Sequence, residues 1–219
     1  MKKTLALGIV VVMLLACVGA VSANLVTNPS FESPVVSGPF TTCPGGTCPA
    51  SWTIGENVNF IGTYWTSSDG SQSIDMSGEG ARGSLSQQIP TITNGPYELT
   101  FDMSGNFVCG PDTKKLEVYW NGAPITGSPF TFVKSGAWSQ TNMEWTTITA
   151  TLPDPAGSPT ELKFVDISTE ITNCGVALDN VEVEGSAIPT PEFPTMALPA
   201  ALIVGLLGAV LFIQKSKEE

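Results

Sequence analysis

A period of two governs most of this chain. Tyr97-Glu98-Leu99-Thr100-Phe101-Asp102-Met103 alternates apolar and polar for seven residues, the pattern of an antiparallel strand with one face buried. Related runs stand at Val58–Ile61, Ser71–Met76, Ser84–Ile89, Leu116–Trp120, Phe130–Val133, Trp145–Leu152, Leu162–Ile167 and Val176–Val183. Turn formers separate them, as in Asp69-Gly70, Ser77-Gly78, Asn94-Gly95-Pro96, Asn121-Gly122 and Asp154-Pro155. No stretch between them carries a helical stripe. Short strands with this punctuation predict an all-β fold, a two-sheet antiparallel jelly-roll sandwich.

Charge marks out where that sandwich lies. Residues 4–23 and 196–213 hold no Asp, Glu, Lys or Arg, so apolar character is concentrated at the two ends. The span between them suffices for one sandwich core. Residues 24–190 carry five basic residues, Arg82, Lys114, Lys115, Lys134 and Lys163, against seventeen acidic ones. That balance excludes nucleic acid as a partner, because neutralising phosphates takes clustered Lys and Arg. The chain has no histidine, which excludes the Ser-His-Asp and Cys-His triads. An all-oxygen site for a hard cation stays open.

Both ends read as addresses. Met1-Lys2-Lys3, the apolar run Thr4–Val18 and the small residues Val21-Ser22-Ala23 predict a secretory signal peptide over residues 1–23. A second reading takes Leu14-Leu15-Ala16-Cys17 as a lipobox that would lipidate Cys17. Either route exports the domain, residues 24–184. Residues 185–195 form a linker whose prolines cannot join a central strand. Met196–Ile213 follows, eighteen uncharged residues that as a transmembrane helix would span about 27 Å. Lys215 and Lys217 then mark residues 214–219 as a cytoplasmic basic tail.

Four cysteines follow the signal: Cys43, Cys48, Cys109 and Cys174. An even number in an exported domain predicts two disulfides, with three pairings open. Cys43-Pro44-Gly45-Gly46-Thr47-Cys48 holds the turn residues that bring its ends together, which leaves Cys109 with Cys174. A zinc site of four thiolates is the rival reading.

Two resemblances extend this. Pro191-Glu192-Phe193-Pro194-Thr195, ahead of the apolar run and the basic end, resembles the PEF-CTERM sorting signal of archaeal surface proteins. The resemblance implies an archaeosortase-type enzyme that removes the tail and leaves the protein attached to the membrane or envelope. Asn24-Leu25-Val26-Thr27-Asn28-Pro29-Ser30-Phe31-Glu32 looks like the opening strand of galactose-binding-like jelly rolls and carbohydrate-binding modules. With Trp52-Thr53-Ile54, Ile61–Trp65, Asp69–Gly78, Leu99–Asn106 and Ala177–Val183, it resembles the choice-of-anchor C family. That likeness implies an extracellular, cell-surface β-sandwich and no established reaction.

Some galactose-binding-like modules hold a structural Ca²⁺ at positions that match Glu32 and Asp179 here, although Asn180 replaces a second Asp. The alternative is that both carboxylates accept turn amides. For recognition of an envelope polysaccharide or a surface protein, Tyr64, Trp65 and Asp69 supply an aromatic face and a hydrogen-bonding group near one turn. Trp120 and Trp138 are further candidates, while Trp52 and Trp145 are expected in the core. A purely structural or adhesion protein is the alternative to this non-catalytic binding module. No acidic pair sits in a motif that marks a glycosidase, so catalytic residues are not expected.

If Pro191–Thr195 is a processing signal, mass spectrometry of the envelope-bound protein will find Met196–Glu219 missing, and replacing Glu192 will accumulate precursor. An intact C-terminus at Glu219 would reduce the tail to a plain anchor.

Overall fold

The structure, a computed structural model, describes residues 23–185 apart from 47, 93, 94, 96, 107, 109 and 170–172. The expected signal peptide with Cys17, the expected sorting motif, the apolar run and the basic tail lie outside the described residues. So does Cys109.

The described residues form twelve strands: β1 (Phe40–Cys43), β2 (Thr53–Ile54), β3 (Val58–Ile61), β4 (Ser73–Asp75), β5 (Ser84–Ile89), β6 (Tyr97–Gly105), β7 (Thr113–Trp120), β8 (Ala123–Pro124), β9 (Phe130–Val133), β10 (Thr146–Leu152), β11 (Thr160–Asp166) and β12 (Val176–Gly185). One antiparallel sheet runs β1-β3-β4-β12-β6-β10; the other runs β2-β5-β11-β7-β8, with β9 also on β7. The result is the two-sheet jelly-roll sandwich that the alternation predicts. The apolar positions of each period face inward, so Phe60, Ile74, Leu99, Phe101 and Leu178 meet Leu85, Leu116, Val118 and Phe164 in one buried core. Phe101 meets Phe164 edge-on at 5.4 Å, and Trp52 packs on Phe31 at the same distance.

Three strands lie outside the predicted runs. β2 and β8 hold two residues each, and β1, Phe40-Thr41-Thr42-Cys43, sets two threonines side by side, so none carries an alternation. The opening segment differs in the other direction, since residues 24–30 form no strand. They touch β12 at single points, Leu25 N–H to the Val183 carbonyl and Val181 N–H to the Pro29 carbonyl. Pro29 has no N–H to donate, and Asn28 and Phe31 turn left-handed at φ 56° and 57°, so a continuous ladder cannot form.

The outer face of the first sheet is also not the solvated surface that alternation suggests. Asn59, Ser73, Asp75, Asp102, Ser104 and Asp179 all lie there, and all are buried. Residues 62–66 and 139–145 cross above them and hold each other: Thr66 N–H donates to the Gln140 carbonyl, and Trp145 Nε1 donates to the Thr66 carbonyl. Beneath this cover the polar groups pair, Trp65 Nε1 with Ser73 Oγ at 2.8 Å and Ser104 Oγ with the Met143 carbonyl.

A β-bulge follows the last of these groups. The β12–β6 register shifts between Asp179 and Glu182, with Asn180 as the extra residue at φ 47°. Val176 and Leu178 face the core before the bulge; Val181 and Val183 face it after. Asp179 faces outward by the alternation that precedes the bulge, and the bulge returns Val181 and Val183 to the core. Asn tolerates this left-handed conformation where a β-branched residue does not. Urea denaturation should therefore show Asn180→Val destabilised by about 1–3 kcal/mol and Asn180→Gly by less than about 1. Equal losses would mean that the left-handed backbone does not select the residue.

Candidate functional site

Two carboxylates clasp one loop. Asp179 Oδ2 accepts hydrogens from Ser68 N, Ser68 Oγ and Asp69 N at 2.9–3.0 Å, and its Oδ1 accepts Asn180 N–H. Glu32 Oε1 accepts Ser71 N–H and Gln72 N–H at 2.7 and 2.8 Å, and Oε2 accepts the Ser71 hydroxyl. Gly70, at φ +61°, sits against Glu32, where any Cβ would collide with the carboxylate. Gln72 continues the clasp through Nε2 to the carbonyls of Phe31 and Pro34.

The Ca²⁺ expectation concerns these same two side chains, Glu32 and Asp179. A calcium ion needs lone pairs turned toward it, yet all four carboxylate oxygens face N–H or O–H donors. Among the described residues, no group of three or more His, Cys, Asp or Glu is placed to hold a metal. In this structure both side chains act as turn-amide acceptors, the alternative reading.

A cleft of about 300 Å³ opens on the same outer face where the cover stops. Phe40 and Tyr64 form its aromatic wall, edge to face with centroids 5.6 Å apart. Phe40 is 42% exposed and Val108 is 56% exposed at the rim. The polar lining is Asn59, Asp75, Glu79, Asn106 and Asn173. Asn59 accepts the Thr42 hydroxyl at Oδ1, and its Nδ2 has no partner among the described residues, although it is not sealed from solvent. Asn106 is committed inward, donating to Asp75 Oδ2 at 2.7 Å and to the Asn173 carbonyl. Asp75 Oδ1 accepts Ser77 N–H and Gly175 N–H. Burial pushes Asp75 up to about 7, against these hydrogen bonds, which favour the ion; Asp166 adds a smaller upward push.

Of the three predicted contacts, only Tyr64 lines this cleft. Trp65 is 3% exposed and packs with Ile61, Met143 and Ala177 beneath the cover, so it has no face to offer a ligand. Asp69 belongs to the clasped loop, where its Oδ2 accepts the Ser30 hydroxyl. Trp120, the next candidate, is buried in the main core with Nε1 on the Pro153 carbonyl. Trp138 packs instead against Phe132 and beneath Lys134. Trp52 is in the core as expected. Trp145, also expected there, is only half-buried, because it belongs to the cover over the outer face. Phe40, Asn59, Glu79 and Asn173 escaped the sequence reading, the first because β1 carries no alternation to mark it. A disulfide joins Cys43 to Cys48, which removes two ligands from a four-thiolate zinc site. Cys174 is disulfide-bonded as well.

A family model described as a protein of unknown function, DUF642, matches residues 24–184. The chain belongs to the DUF642 family. This DUF642 domain is 32% identical over 193 residues to Halomucin of Haloquadratum walsbyi, covering 83% of the chain and 2% of that protein. It therefore spans a small fraction of the curated relative it matches. Among solved structures it is similar to the CBM22-1 xylan-binding domain of Xyn10C from Paenibacillus barcinonensis, at 18% identity over 76% of this chain and 97% of that one, TM-score 0.45. A Stig cyclase, Fisc, from Fischerella sp. TAU is similar at 15% identity over 76% and 98%, TM-score 0.47. Likenesses at this level transfer no activity.

Asp179 titrates like Asp75, pushed by burial up to about 7 against the hydrogen bonds from Asp69, Asn180 and Ser68. Carboxyls raised from 3.8 bind more protons folded than unfolded between about pH 4 and 7, so stability falls as pH rises through that window. Calorimetry from pH 8 down to pH 5 should show the melting temperature rising, with a gain on the order of 5 kcal/mol from the two groups together. A flat or falling profile would mean that these two acids are not held raised.

Proposed function

We propose that this DUF642 domain is an exported, non-catalytic module that binds carbohydrate in the cleft between Phe40 and Tyr64. One observation carries the reading: two partly exposed rings share an opening of about 300 Å³ with the side-chain amides of Asn59 and Asn173 and the carboxylate of Glu79. Sugar rings stack their C–H faces on aromatic rings, and amides and carboxylates fix hydroxyls. The signal-like N-terminus and the Cys43–Cys48 disulfide support a place outside the cytoplasm. The PEF-type tail supports attachment at the cell surface, with an archaeosortase as processing partner and an envelope polysaccharide or glycosylated surface protein as the binding partner.

A hydrolase reading has one observation in its favour, the shared presence of Asp75 and Glu79 in the cleft. A general acid must turn a proton toward the leaving oxygen. Asp75 instead has both oxygens engaged by Ser77, Gly175 and Asn106, which suits a structural acceptor.

Screening the purified full-length protein on a glycan array, then titrating the best glycan by calorimetry, tests the module. Phe40→Ala and Tyr64→Ala should each weaken binding at least tenfold, about 1.4 kcal/mol. Unchanged affinity in both variants would remove the cleft as the site. Release of reducing sugar would replace the binding module with an enzyme.

A further inference from the structure

We infer that the cleft selects uncharged sugars and rejects glycans bearing uronic acids or sulfates, a conclusion that rests on the carbohydrate-binding reading above. The lining residues described include two acids, Asp75 and Glu79, and no Lys or Arg. Glu79 is exposed and makes no ion pair among the described residues, so its charge meets an incoming ligand uncompensated. Lys115 and Lys163 stand on β7 and β11 of the second sheet, and the other three basic side chains are engaged. Arg82 donates to the Ser168 carbonyl at 3.0 Å, and Lys134 pairs with Asp112 at 3.3 Å while lying over Trp138. Lys114 comes nearest to an exception, because it donates to the carbonyl of Cys174, a lining residue, at 2.6 Å. It is 1% exposed, so its ammonium supports the floor from behind and is not presented to a ligand.

The consequence is a difference between ligands of one shape. A hydroxymethyl group facing Glu79 is a hydrogen-bond donor that a carboxylate accepts, whereas a uronate or sulfate at the same place sets like charges together with no counter-ion. The amides of Asn59 and Asn173 pair with hydroxyls and offer an anion no full positive charge. Discrimination by this route excludes the wrong ligand by repulsion, while the rings supply attraction common to both.

The test uses the full-length protein with xylan, mannan and glucan as uncharged probes, and polygalacturonate, hyaluronan and a sulfated glucan as charged ones. At least one uncharged polymer should be held ten times more tightly than every charged probe at low salt. Glu79→Lys, an exposed substitution that folding tolerates, should cut that ratio at least fivefold. Charged probes bound as tightly as uncharged ones would overturn the selectivity and leave the carbohydrate reading standing. A ratio that Glu79→Lys leaves unmoved would overturn its assigned cause. Retention of none of the six polymers would overturn the carbohydrate reading itself, and the selectivity with it.

Discussion

The clasp of residues 67–72 by Glu32 and Asp179 is the interaction on which the rest of the outer face depends. Burying a carboxylate such as Asp179, which is fully covered, is costly unless donors replace water. Here the backbone amides of Ser68 and Asp69 offset part of that cost at Asp179, those of Ser71 and Gln72 do the same at Glu32, and charge-assisted bonds of this kind are stronger than neutral ones. Because these donors belong to one short loop and the acceptors to segments 147 positions apart in the chain, the clasp ties the opening segment, the loop and β12 together. The chain leading into that loop carries Tyr64 and Trp65.

From that anchor follows the layered outer face. Trp65 drives under the cover and hydrogen-bonds Ser73, which leaves Tyr64, its neighbour at 5.6 Å between ring centroids, as the ring that reaches the cleft wall. The opposite side of the cover comes from residues 139–145, held by Ser104 and by Gln140 on the Tyr64 carbonyl. A ring fixed at both its backbone and its neighbour loses little freedom on meeting a ligand, and pre-organisation of that kind favours recognition. Ser73 and Ser104 beneath thus hold the cover in place, while Asn59 and Asp75 of the same face also line the cleft.

Most of the sandwich was legible because its signal is local. Each long strand carries enough alternation to place its inner face, and the turn residues bound it. Alternation says only that the other face is polar, and Ser73, Asp75 or Ser104 reads the same whether water or a loop covers it. That is why Trp65, a large aromatic beside a turn, reads as an exposed contact and proves to be the anchor of the cover. Tyr64 was legible as chemistry, but its partner Phe40 lies 24 positions away on a four-residue strand. Asn180 was visible as a departure from a two-acid pattern. Its physical reason, a left-handed bulge residue, needed the β12–β6 register. Glu32 and Asp179 were found as a pair, while their occupant, a loop of amides, has no signature in residue identity.

The central claim is that ligand meets this protein at the Phe40–Tyr64 cleft, on the covered face of the first sheet. Amide and methyl chemical-shift mapping during titration with a neutral polysaccharide fragment tests it most directly. The account predicts that the largest changes fall on Phe40, Asn59, Tyr64, Val108 and Asn173, with the clasped amides of Ser68 and Ser71 nearly unmoved. Changes centred on Trp138 or on β10, with the cleft silent, would contradict it.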